Sequence, residues 1–82
     1  MAPERLEIYV TPLVADRPDT WLVCTESLSR CIAICSSRED AASQALVTAR
    51  YHAGRGEDVH VRIWDIDNAC WQEAPFDPRS NA

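Results

Sequence analysis

Ser36-Ser37-Arg38-Glu39-Asp40-Ala41-Ala42-Ser43-Gln44-Ala45-Leu46-Val47-Thr48-Ala49-Arg50-Tyr51-His52-Ala53 is the stretch that decides the fold. Ser36 or Ser37 can cap a helix here, and Ser37-Arg38-Glu39-Asp40 sets a carboxylate at the N3 position. The positive helix end favours Glu39 and Asp40. From Arg38 to Ala53 no Gly or Pro intervenes, and Ala42, Ala45, Leu46, Ala49 and Ala53 recur at helical spacing. The pattern predicts an amphipathic helix of about four turns, ended by Gly54 or Gly56. A stripe made mostly of Ala permits close approach to a sheet, and it contributes less apolar area than a Leu-rich one.

Three β runs precede this helix. Leu6-Glu7-Ile8-Tyr9-Val10-Thr11 alternates with period two, so Leu6, Ile8 and Val10 share one face. Pro12 removes a ladder donor, the strand ends near Val14, and Ala15-Asp16-Arg17-Pro18-Asp19 carries loop chemistry. Thr20 to Glu26 and Arg30 to Cys35 form a hairpin about Ser27-Leu28-Ser29, with Glu26 facing Arg30. That register puts Trp21, Val23, Ala33 and Cys35 on one face, and Leu22, Cys24, Ile32 and Ile34 on the other. Both faces are apolar, so either can meet the helix.

Beyond the helix, Asp58 to Asp65 alternates again, with Val59, Val61 and Ile63 on one side and His60, Arg62 and Trp64 on the other. Asp67-Asn68 marks a turn, and Cys70-Trp71-Gln72-Glu73 is a candidate for a short last strand. A strand, helix and strand in sequence form a right-handed crossover onto parallel neighbours. The expected fold is therefore α+β: a three-stranded antiparallel meander, one helix on one face and a returning strand, βββαβ in the order 3-2-1-4. Residues 1–74 form the single expected domain and 75–82 a flexible tail.

Eighty-two residues suffice for one core, which at this size buries only about 60 to 65% of the unfolded surface. The hydrophobic content of 46% and charged content of 26% are those of a globular chain. A net charge of −5, with scattered arginines as the basic residues, argues against nucleic-acid binding, which draws on clustered cations. No secretory leader and no apolar run of membrane-spanning length is read, so a cytoplasmic protein off the membrane is expected.

Cys31 and Cys35 are four apart in a strand, which separates them by about 13 Å and rules out a shared metal or disulfide. Cys24 can approach the next strand across the hairpin, and the cytosolic reading keeps the thiols reduced and structural. Asp65 and Asp67 project to one side of a strand end, as a metal site requires. With Asn68 they also read as a solvated turn, which is preferred, so no metal is assigned. No Gly-rich phosphate loop and no nucleophile at a strand-to-helix elbow is read, so no catalytic residue and no cofactor is assigned.

The order Val10-Thr11-Pro12, Trp21-Leu22-Val23, an apolar third strand, then Ser37-Arg38-Glu39-Asp40-Ala41 opening a helix resembles small bacterial domains of the YegP-like and HicB-like kinds. The likeness covers roughly Glu7 to Asp67 and implies a β-β-β-α(-β) arrangement. Arg30 stands where the HicB-like domains tend to have Gly before the Cys, and their added DNA-binding segment is not read. The resemblance implies a fold more than an activity.

One helix covers one face of a four-stranded sheet, and the other face still carries large side chains. Trp, Tyr and Arg dominate interface hot spots, so Tyr9, Trp21, His60, Arg62 and Trp64 are the expected contact residues. The leading expectation is a non-enzymatic interaction module that self-associates, as a dimer, through the face the helix leaves open. An antitoxin-like regulator that uses its acidity to bind a small basic toxin nuclease is the alternative. A small enzyme, the third reading, requires a concave pocket with a convergent Cys or His.

Overall fold

A computed structural model describes residues 5–14, 17–25 and 28–74. The strands β1 (Arg5–Val14), β2 (Arg17–Thr25) and β3 (Arg30–Cys35) lead into the helix α1 (Arg38–Gly54), and β4 (Asp58–Asp65) and β5 (Cys70–Ala74) follow. All five strands join one sheet in the order β3-β2-β1-β4-β5. β1 and β4 pair in parallel through the α1 crossover, and the other pairs are antiparallel. The expected βββαβ arrangement is the fold, and the short last strand extends its order by one.

Ser37 caps α1: its extended backbone turns the chain, and its hydroxyl accepts from the Asp40 amide at 3.1 Å. At the other end, Gly56 takes φ +90° while its amide donates to the Ala53 carbonyl at 3.0 Å, a conformation that a side chain strains.

The stripe that α1 buries differs from expectation by a rotation. Ala41, Ala45 and Ala49 are fully buried, whereas Ala42, Leu46 and Ala53 are only partly covered. Ala occupies both 41 and 42, so spacing alone leaves two overlapping rows. The sheet takes the straight i, i+4, i+8 row. Ile8, Val10, Trp21, Val23 and Val61 close the core beneath it. α1 contacts β1, β2, β3 and β4.

The first loop is shorter than expected, because β2 begins at Arg17 and absorbs Pro18 and Asp19. The β2–β3 ladder starts only at Trp21↔Cys35, so Pro18 lies where β2 has one strand neighbour and its missing N–H is tolerated. Pro12 sits in β1 for the same reason, since pairing with β4 stops at Val10↔Ile63.

The β2–β3 register holds from Trp21↔Cys35 to Val23↔Ala33 and then shifts, so that Cys24 faces Cys31 and Thr25 faces Arg30. Ile32 is the extra residue of a bulge. It lines a hollow with Thr48 and His52 of α1, on the side expected for its neighbour Ala33 and not the opposite one. Glu26, the expected partner of Arg30, lies outside the described residues, as does the expected tail at 75–82.

Candidate functional site

The parallel register of β1 and β4 builds the sheet face remote from α1. Glu7 stands beside His60 and Tyr9 beside Arg62. On the outer side of β4, Trp64 pairs with Trp71 and Arg62 with Glu73. Period-two alternation sends all of these side chains away from the helix, because Ile8, Val10 and Val61 between them are in the core.

Rings and charges interlock on this face. Trp71 packs edge-on against Tyr9 and against Trp64, with centroids 5.1 Å apart in each case. The Arg62 guanidinium lies 6.0 Å from the centre of the Tyr9 ring. Its Nη1 donates to Glu7 Oε1 at 2.6 Å and to the Tyr9 hydroxyl oxygen at 3.4 Å. The Tyr9 hydroxyl donates in turn to Glu7 Oε2 at 2.8 Å, and Arg5 closes on Glu7 Oε1 at 3.2 Å. The hydrogen bond from Tyr9, and then the one from Arg62, hold the Glu7 carboxyl below its ordinary pKa. The same pairing raises Arg62.

His60 offers both ring nitrogens to carboxylates, Nδ1 to Glu73 at 2.8 Å and Nε2 to Asp58 at 3.1 Å. Only the imidazolium donates from both nitrogens, and its pKa is raised, first by the Glu73 bond and then by Asp58, against a smaller opposing effect of burial. Glu73 is lowered in step.

Four of the five expected contact residues, Tyr9, His60, Arg62 and Trp64, therefore meet on one face. Trp21 does not: it is 2% exposed in the core under α1, with its indole N–H donating to the Pro18 carbonyl at 3.1 Å. The hairpin face carrying Trp21 and Val23 is the one that meets the helix. Glu7, Trp71 and Glu73 were not among the expected residues. Glu7 shares the parity of Tyr9 and was readable from it, whereas Trp71 and Glu73 join the layer only through the β4–β5 register.

The turn after β4 is built on Asp65. Its Oδ1 accepts from the Asp67 and Asn68 amides, and its Oδ2 from the side-chain amides of Asn68 at 2.7 Å and Gln72 at 2.8 Å. These bonds, led by Asn68, lower the Asp65 pKa, and they give this carboxylate a structural role. Among the described residues no group of three His, Cys, Asp or Glu side chains converges as a metal site.

A cleft of about 410 Å³ opens at this end of the sheet, between Trp21, Trp64, Arg38 and Asp65. The hollow beside Ile32, of about 380 Å³, contains His52, whose Nδ1 is held by Glu57 at 2.6 Å. Among the described residues no helix is long and apolar enough to cross a membrane. Compared with protein-family models, curated proteins and solved structures, the chain gives no match.

Proposed function

We propose that this chain is a protein-interaction module that associates with a second copy of itself through the sheet face remote from α1. The observation that carries this reading is the layer formed by Tyr9, Trp64 and Trp71, an aromatic surface that α1 does not cover. Trp71 remains 36% exposed. Toward β3 the same face continues through Leu22 to Ile34, which is 71% exposed. Exposed aromatic and aliphatic side chains on a face that no helix covers mark a candidate contact site.

Charge favours a second copy as the occupant. The chain carries a net charge of −5, so two copies repel over most of their surfaces. On this face, however, Arg5, Arg62 and, where it is protonated, His60 balance Glu7, Glu73 and Asp58. A locally neutral, aromatic patch is where such copies can meet at least cost.

Amide shifts of the isotopically labelled chain, followed from low to high micromolar concentration, test the surface directly. The reading expects concentration-dependent shifts at residues 7–11, 60–64 and 71–73, with α1 unmoved. Shifts confined to α1, or none at all, would remove it.

A further inference from the structure

We propose that Cys24 and Cys31 form a thiol pair that a hydroperoxide closes to an intramolecular disulfide, which makes the β2–β3 hairpin a site of reversible oxidative modification. This inference rests on the β2–β3 register and not on self-association, although Cys24, opposite Tyr9, shares the face remote from α1.

The bulge at Ile32 creates the pair. Counting down the ladder from Trp21↔Cys35 without a shift would set Ile32 opposite Cys24, and the register shift brings Cys31 there instead. Directly opposed residues of antiparallel strands have Cα atoms about 4.5 to 5.5 Å apart, inside the range of about 4.4 to 6.8 Å that a disulfide spans. Opposed residues also send their side chains to one face, and the Cys31 thiol, which donates to the Ala33 carbonyl at 3.3 Å, stands across the ladder from Cys24. Both are free thiols, and the two differ in access: Cys31 is exposed, whereas Cys24 is 3% exposed.

That asymmetry assigns the roles. The Cys31 thiolate attacks the hydroperoxide, forming an S–O bond as the O–O bond breaks and hydroxide or alkoxide leaves. Cys31 is then a sulfenic acid. The Cys24 sulfur attacks the Cys31 sulfur, the S–S bond forms, the S–O bond breaks, and hydroxide leaves to take up the Cys24 proton as water. The two thiols are oxidised and the peroxide is reduced. Burial and the adjacent Cys31 raise the Cys24 pKa, which leaves the exposed Cys31 as the first of the two to react with the peroxide. A small thiol reverses the step by exchange. Cys35 pairs with Trp21 at the far end of β3, and Cys70 lies in β5 opposite Asp65, so neither competes.

The test treats the reduced full chain with hydrogen peroxide, quenches it, and reads intact mass and tryptic peptides. Arg30 lies between the two cysteines, so trypsin separates them unless they are bridged. The expected result is loss of two hydrogens, a cross-linked peptide joining Cys24 to Cys31, reversal by dithiothreitol and a thermal midpoint higher in the oxidised form. Cys35→Ser and Cys70→Ser keep the cross-link, whereas Cys31→Ser abolishes it. Oxygen adducts without hydrogen loss, or a bridge that maps to another pair or between chains, would overturn the proposal.

Discussion

His60 sits at the centre of the charge balance on the open face, and its protonation sets a pH window. A histidine whose folded pKa is raised stabilises the fold fully below its ordinary value of 6.5, and that contribution is lost as pH rises through the higher folded value. Glu7 and Glu73 behave oppositely: their lowered values give stability that is present above 4.5 and lost as pH falls through the folded values below it. The thermal midpoint is therefore expected to be highest between these limits. In His60→Gln the alkaline decline should flatten and the Glu73 part of the acid limb should shrink with it, while the Glu7 part stays. Melting curves across pH check this, and an unchanged alkaline decline in the variant would remove His60 from the account. Tyr9, His60, Arg62 and Trp64 were legible as one layer because each strand alternates cleanly. Trp21 was not, because its hairpin is apolar on both faces and only the helix decides which one is inside.

At the level of elements, α1 approaches the sheet through three fully buried alanines. Ala45→Leu is expected to cost about 1 to 3 kcal/mol through overpacking. Ser37→Ala removes the cap bond to the Asp40 amide and should cost about 1 kcal/mol. Gly56→Ala should cost about 1 to 2 kcal/mol from backbone strain alone, since an added Cβ meets nothing within 4 Å. Denaturant unfolding of each variant measures these, and an Ala45→Leu variant as stable as the parent would show a looser helix–sheet contact. Helix and strand types were readable from capping and periodicity. The bulge at Ile32 was not, because Cys31, Ile32 and Ala33 are all small or apolar and fit either count. Pro12 and Pro18 stay in strands for a reason that only the sheet order reveals, namely how far each neighbouring strand extends.

For the whole molecule, the layer order follows from one helix against five strands, and it leaves a face of limited size. Four strand spacings of about 4.8 Å and six residues of about 3.3 Å give about 400 Å² in projection. A pair of such faces falls at the small end of specific interfaces even with side-chain relief added. The expected dimer is reversible, with a dissociation constant on the order of 10 μM. Trp71→Ala should weaken it about tenfold or more, as truncation of an aromatic anchor does. Raising pH past the His60 transition should weaken it too, because each copy then gains a net negative charge on the contact face. Sedimentation equilibrium of the intact chain near pH 6 tests the central claim most directly. A monomer–dimer equilibrium in the micromolar range, weakened in Trp71→Ala, is the predicted result, and a monomer at every concentration up to the high micromolar range would contradict it.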